Sequence, residues 1–323
     1  MKSIRIIEFD YIRIISLLAI LLCHSCFDVS GLPSWLGRYL GLTFNFLFLV
    51  LSAFLLGQAW HHNGCQPYSR KFLTKRFGRL SKTYYPYLAV LFLFLYISRD
   101  YFSFIKIMTH TLYLPWFDKI EGFGHLWFIT MIAICYAGCY VVSKLYISRA
   151  VKCIGPFGMI GGGILLDYIA TREGLPGYLF PYLAGYLLVF IHAEKIISHI
   201  RHIPLSLNIV QALAMNTIGI FMFSNGIFDS NSFVAYFIGI GCAVSIFVLM
   251  FNTFSSLPSL NPIVWLSDIS FEMYLVHEFF LGRYSVYKMV DNPIYGFLLL
   301  LAFSLAAATL LKFGCSARGI TNS

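Results

Sequence analysis

Apolar runs of membrane-spanning length follow one another along most of the chain, with short polar segments between them. A run of about 20 apolar residues is long enough to cross a bilayer as a helix. We identify ten candidates, near residues 11–29, 37–57, 84–98, 125–143, 154–170, 178–192, 205–224, 232–254, 262–282 and 293–313. The pattern predicts an all-α, polytopic membrane helix bundle. We take residues 1–323 as a single transmembrane domain.

Charged and titratable side chains interrupt the first run. Arg13 is followed eleven residues later by His24, and eleven residues at about 100° each return to within roughly 20° of the starting direction. The two side chains therefore share one face of an apolar helix. A buried arginine normally faces a partner or a water-filled cavity, although Arg13 could also extend to the interface and His24 could be an ordinary core histidine.

Four ionisable residues fall within the ninth run, which contains Asp268, Glu272, His277 and Glu278. If the run is one helix, Asp268 and Glu272 lie one turn apart on a common face. Charges inside a membrane need partners whether or not they take part in chemistry. Pairing with Arg13 or Lys82 is thus the structural alternative to a catalytic role.

The densest basic segment lies between the second and third runs, from Arg70 to Lys82. We interpret it as a cytoplasmic loop, because most Lys and Arg residues then fall on the side of the N-terminus, as the positive-inside rule requires. An even number of spans places both termini in the cytoplasm. Such a loop could bind a phosphorylated donor, or it could serve only as a topology signal or a contact for anionic lipids.

The composition supports a membrane protein and argues against a nucleic-acid-binding or a metal-binding protein. The chain is 59% hydrophobic and only 11% charged, whereas ordinary soluble domains are about one quarter charged. The net charge of +9 is dispersed over short loops, so we expect no nucleic-acid partner. Most of the eight cysteines lie in apolar runs. Cys23-His24-Ser25-Cys26 lacks a second ligand pair, so we expect no metal site.

The motifs taken together resemble the acyltransferase 3 family of multispanning membrane acyltransferases. Arg13 and His24 are similar to its first-helix pattern, and the segment from Phe72 through Arg79 to Tyr87 resembles its basic loop. The other matching segments are residues 45–55 in the second run, His125-Leu126-Trp127-Phe128 at the start of the fourth, and residues 270–277 in the ninth. Two positions depart from the family pattern: Ala53 replaces a glycine and Glu272 replaces an uncharged residue.

The resemblance implies a stand-alone enzyme of the bacterial cytoplasmic membrane, with no appended soluble domain. It would move an acetyl or other short acyl group from acyl-CoA, a substrate rather than a bound cofactor, to a hydroxyl of a cell-surface or lipid-linked glycan. We assign His24 and Arg13 to catalysis. Donor binding falls to Lys75, Arg76 and Arg79, and acceptor-side or supporting roles fall to Asp10, His125, Trp127, Glu272 and His277.

Two other functions stay open at this stage. In a transporter or flippase for a lipid-linked sugar, Arg13, His24 and Glu272 would line a proton or substrate pathway. An acyltransferase acting on a small molecule would share the donor side and differ only in the acceptor. The sequence does not identify the acceptor, the acyl length, the route of the acyl group across the membrane or the oligomeric state.

Overall fold

The computed structural model describes residues 5–29, 32–98, 103–145, 162–163, 165–169, 179–226 and 233–317, and these ranges contain helices and turns but no strand. Eleven helices are named here in chain order. They are α1 (Ile7–Asp28), α2 (Ser34–His62), α3 (Arg70–Ile97), α4 (Phe104–Thr111), α5 (Trp127–Leu145), α6 (Leu179–Ile200), α7 (Leu205–Ser224), α8 (Phe233–Phe254), α9 (Asn261–Asp268), α10 (Ser270–Val276) and α11 (Pro293–Ala317). Short 3₁₀ turns precede α5 and follow α10.

Among the described residues, seven helical segments are long and apolar enough to cross a membrane, and Ile238–Phe254 is a shorter apolar helical stretch. The prediction of an all-α polytopic membrane bundle is confirmed. The fifth predicted run, 154–170, lies largely outside the described residues, where only 162–163 and 165–169 are seen, both helical. The count of ten spans therefore stays a prediction.

The prediction of one continuous helix over 262–282 is wrong. The backbone leaves the helical region at Ile269 (φ −104°, ψ 4°), and α10 ends in a 3₁₀ turn from His277 to Phe280. At the break, the Ser270 hydroxyl donates to the Ser267 carbonyl at 2.8 Å, a local bond that competes with regular helix bonding. Asp268 and Glu272 consequently do not share the face of a single helix.

The prediction of a loop from Arg70 to Lys82 is also wrong, because this segment forms the first half of α3. Arginine, lysine and leucine are good helix formers, and they occupy eight of the thirteen positions from Arg70 to Lys82. Because the segment is helical, Arg76 and Arg79, at positions i and i+3, lie on one side of a rigid element. Their positive charges are therefore held in a fixed arrangement.

The chain folds into two compact units. The first unit consists of the described residues of Met1–Cys65 and Ala184–Ser270. Its core contains aromatic rings from three helices: Phe9 of α1, Phe54 of α2, and Phe247 with Phe251 of α8. The Phe54 and Phe247 rings stack at 4.7 Å. This apolar core positions the N-terminal turns of α1, which carry Asp10 and Arg13.

The second unit consists of the described residues of Gln66–Leu183 and Phe271–Ser323. Within it, α3 packs against α5 and α11. Tyr87 of α3 contacts Phe279 edge-to-face at 5.7 Å, and Phe128 of α5 contacts Tyr274 of α10 at 5.2 Å. These aromatic contacts hold the segment around His277 between α3 and α5.

Candidate functional site

Asp10 is the centre of a charged cluster in the first unit. It is only 3% exposed, and Arg5 binds it with two donors, Nε to Oδ2 at 2.6 Å and Nη2 to Oδ1 at 2.9 Å. This is the bidentate geometry for which arginine is suited. The hydrogen bonds to Asp10 raise the pKa of the Arg5 guanidinium above its ordinary value, so Arg5 stays charged.

Arg13 is held by the same cluster from the next turn of α1. Its Nη1 donates to the Ser267 hydroxyl at 2.9 Å and lies 3.8 Å from Asp10 Oδ1. Ser267 in turn donates to Asp10 Oδ1 at 2.6 Å, so the hydrogen bonds run in one direction, from Arg13 through Ser267 to Asp10. The Arg13 side chain is 23% exposed, which leaves part of the guanidinium accessible.

Asp268 completes the charged cluster at the end of α9. Its Oδ1 lies 3.0 Å from Arg5 Nη2, and both side chains are nearly half exposed. For Asp268 in a structural role the sequence predicted a pairing with Arg13 or Lys82, and the structure places Arg5 among its partners. Neither Arg5 nor Ser267 was proposed as a site residue, because a terminal arginine and a serine in an apolar run give no pattern that singles them out.

His24 lies on α1, eleven residues after Arg13, and is half-buried. Because α1 is helical throughout Ile7–Asp28, the predicted common face of Arg13 and His24 is present. Buried cysteines flank the histidine at Cys23 and Cys26. The structure thus gives the first unit one half-buried imidazole and one oriented guanidinium on the same helix.

A second polar cluster lies in the second unit, around two buried histidines. His125 and His277 are 2% and 0% exposed, and their ring centroids are 4.9 Å apart. His125 Nε2 faces the Leu275 carbonyl at 3.2 Å, and His277 Nδ1 faces the Tyr274 carbonyl at 2.7 Å. The Tyr274 hydroxyl donates to the His125 carbonyl, so backbone groups orient both rings.

These carbonyls determine which ring nitrogen carries hydrogen. A carbonyl oxygen only accepts, so neutral His125 carries its hydrogen on Nε2 and neutral His277 on Nδ1. The other nitrogens face one carboxylate oxygen, Glu278 Oε1, at 3.7 Å from His125 Nδ1 and 4.0 Å from His277 Nε2. Each ring can therefore take up a proton on the side that faces Glu278, a residue that the sequence analysis noted but did not include in the site.

Glu272 and Trp127 have separate surroundings in the same unit. Glu272 is buried, accepts from the Thr83 hydroxyl at 3.5 Å, and is acted on by the charges of Lys312 and Arg79. Trp127 packs edge-to-face on Trp116 at 5.0 Å. Glu272 is thus placed to interact with one cation of α3 and one of α11, while the packing of Trp127 suits an anchoring residue.

The three predicted donor-binding residues lie on the first half of α3. Lys75 and Arg79 are exposed and Arg76 is half-buried. The Arg76 guanidinium lies over the Phe72 ring at 5.6 Å, and that ring stacks on Tyr68 at 3.8 Å. A cation packed on an aromatic face keeps its charge and its outward donors, so this helix face can bind an anion.

Comparison with known proteins agrees with the sequence motifs and with the helical architecture. No curated protein and no solved structure matches the chain. A family model, described as an acyltransferase domain, matches residues 6–313, a range that includes the basic half of α3, the histidine cluster and, except for Arg5, the cluster around Asp10. The chain therefore belongs to the acyltransferase 3 family.

Proposed function

We propose that this membrane acyltransferase moves a short acyl group, most simply acetyl, from a coenzyme A thioester to a hydroxyl of a cell-surface or lipid-linked glycan. The observation that carries the proposal is the orientation of Arg13. Its guanidinium is held by Ser267 and lies near Asp10, on the face of α1 that also bears His24. The fixed cation and the half-buried imidazole lie about 16 Å apart along α1, so that one can hold the donor and the other can act at the reacting hydroxyl.

The reaction needs two kinds of help. His24 acts as the general base: it removes the proton of the acceptor hydroxyl as the oxygen attacks the thioester carbonyl. Arg13, three turns nearer the N-terminus, binds an oxygen of the donor's phosphates, and it does not have to reorganise because Ser267 and Asp10 already hold it. The new ester bond forms, the C–S bond breaks, and coenzyme A leaves as a thiolate that takes the proton back from His24.

Donor binding is assigned to Lys75, Arg76 and Arg79 on α3. Coenzyme A carries several phosphate oxygens, which pair well with guanidinium and ammonium groups. The segment is rigid and cationic, and it lies on the cytoplasmic side in the predicted topology, where coenzyme A is available. Acceptor binding is assigned to the cluster of His125 and His277, with Trp127 and Glu272 in support.

The decisive experiment measures acetyl transfer per molecule of membrane-inserted protein. His24→Ala should lower transfer by about 10²–10⁴-fold, the usual contribution of general acid–base catalysis. Arg13→Lys should also fail largely, because the ammonium lacks the planar fork that binds Ser267 and an oxyanion together. His62→Ala, at an exposed histidine of the same unit, serves as the matched control and should transfer normally.

Two results would change the assignment. Near-normal transfer by His24→Ala would make His24 a core histidine and move the catalytic role to His125 or His277. Translocation of a lipid-linked sugar by the purified protein, with no acyl transfer, would support the transporter alternative and refute the proposed reaction.

A further inference from the structure

An open cavity of about 710 Å³ lies within the second unit, beside α3 and α11. On α3 its wall includes Pro86, Val90 and Phe94, which follow one another at spacings of four residues and so lie along one side of the helix for about 12 Å. Arg79 lies on the same helix, about two turns before Pro86. The wall is almost wholly apolar, so the cavity suits a hydrocarbon chain better than a sugar.

The opposite wall is formed by α11, from Ala307, Leu310, Leu311 and Gly314. The spacing i, i+3, i+4 and i+7 is that of a single apolar helix face. Leu310 is 73% exposed, and Val90 across the cavity is 54% exposed. Because α3 and α11 both contain candidate membrane spans, a mouth lined by such residues opens towards lipid and not towards water.

The third wall joins the cavity to the histidine cluster. It contains Val276, Phe279 and Phe280, the residues that immediately flank His277 and Glu278. A chain lying in the cavity therefore runs alongside the cluster to which the proposed function assigns the acceptor. This position beside the histidine cluster is the one that a binding site for the acceptor requires.

Tyr87 supplies an independent sign of a ligand. It lines the cavity, is 1% exposed, and its hydroxyl has no hydrogen-bond partner among the described residues. A buried hydroxyl is nearly always satisfied, and leaving one without a partner is unfavourable. A lipid whose head brings an oxygen to this depth would satisfy it.

We propose that this cavity binds the hydrocarbon tail of a lipid-linked acceptor, so that the acceptor is a membrane-anchored sugar and not a free polysaccharide. The inference rests on the proposed function and narrows its acceptor. The tail lies between α3 and α11, the Tyr87 hydroxyl donates to an oxygen of the head, and the sugar is bound by the cluster of His125 and His277. A bilayer phospholipid would fill the same space but carries no sugar to be acylated.

The test compares two acceptors in purified protein with acetyl-CoA as donor: a sugar diphosphate linked to a short polyisoprenol, and the same sugar without the lipid. Ala307→Phe fills the cavity, whereas Ala306→Phe adds the same ring at the neighbouring exposed position, which does not line it. Ala307→Phe should raise the KM for the lipid-linked acceptor by about tenfold or more. Use of the free sugar and of acetyl-CoA should be unchanged, and Ala306→Phe should behave as the parent protein.

A second cavity variant tests the inference even if Ala307→Phe does not fold. A Cβ added at Gly314 meets no atom within 4 Å, so Gly314→Leu narrows the cavity without a clash and should give the same selective loss. Tyr87→Phe removes only the hydroxyl and should weaken lipid-linked acceptor use alone. Equal losses with both acceptors, or no loss in either cavity variant, would overturn the inference.

A measurement that does not depend on activity separates this inference from the proposed function. In nanodiscs, a photoactivatable polyisoprenyl-diphosphate sugar should label peptides of α3 and α11, with labelling lost in Ala307→Phe and kept in Ala306→Phe. Labelling by a photoactivatable phosphatidylglycerol that the sugar lipid does not displace would make the cavity a bilayer-lipid site. Specific labelling without any acyl transfer would retain the lipid-linked ligand and refute the reaction.

Discussion

Both polar clusters place polar groups inside an apolar helical protein, but the interactions that stabilise these groups differ between the two. The cluster around Asp10 consists of fixed charges, and each is balanced by an opposite charge or a hydroxyl: Arg5, Arg13, Ser267 and Asp268. The cluster around His125 and His277 is more deeply buried, and its rings are oriented by backbone carbonyls.

The difference between the clusters agrees with the role proposed for each. A guanidinium is always charged, so it can be buried only with a partner, and its use is to hold an anion or a developing negative charge. An imidazole can be neutral, so carbonyl contacts are enough to bury it, and its use is to exchange a proton. Removing a charge should therefore lower stability in the first cluster, where Arg13 also serves the reaction, and should lower acyl transfer without loss of stability in the second.

The largest expected effect comes from Asp10→Ala. The change leaves Arg5, 44% exposed, without its bidentate partner and Ser267 without its acceptor, and a lost hydrogen bond to a charged group costs about 1.5–3 kcal/mol. We expect a clearly lower thermal unfolding midpoint in detergent and little inserted protein. Asp268→Ala, which removes an exposed carboxylate from the same cluster, is the control. An unfolding midpoint equal to that of the parent would show that Asp10 does not hold the cluster together.

A smaller effect, and of a different kind, is expected from Glu278→Gln. The substitution keeps the shape of the side chain and removes the charge that faces both rings, while the carbonyls of Leu275 and Tyr274 still orient them. Transfer should fall by about tenfold, through a higher KM for the acceptor, because a hydrogen bond to a charged group contributes about 1.5–3 kcal/mol, and the unfolding midpoint should not change. Glu194→Gln, at an exposed glutamate, is the control. A lower unfolding midpoint without a fall in transfer would show that Glu278 has a structural role. The two clusters would then not differ in the way argued above.

The helical class and the face shared by Arg13 and His24 could be predicted from the sequence, because both follow from local periodicity. The break at Ile269 could not, since the apolar pattern continues through it and only tertiary contacts decide whether such a run stays in one helix. Ser267 was missed for a related reason. A serine in an apolar run is ordinary, and its role follows from Asp10 and Arg13, which lie more than 250 residues away.

The basic half of α3 provides a third case, in which charge is exposed and has little to do with stability. Arg76→Ala and Arg79→Ala should each raise the apparent KM for acyl-CoA by about tenfold or more, because a hydrogen bond to a charged group contributes about 1.5–3 kcal/mol. The acceptor KM should stay constant. Lys71→Ala, an exposed lysine on the same half of α3, tests for a general effect of charge. Unchanged donor KM in both arginine variants would reduce the segment to a topology signal.

The smallest expected effect, from Asp268→Asn, tests the exposed edge of the charged cluster. Asp268 is 48% exposed and its partner Arg5 is 44% exposed, and pairs of this kind contribute only about 0.2–1 kcal/mol. Arg5 also keeps both donors on the buried Asp10, so losing the outer carboxylate does not release it. The unfolding midpoint should fall slightly in low salt, and the difference should vanish in high salt, because exposed charges are screened while the Asp10 pair is not. A large, salt-independent fall would show that Asp268 is as essential to the cluster as Asp10, and that burial does not decide which of the two carboxylates matters.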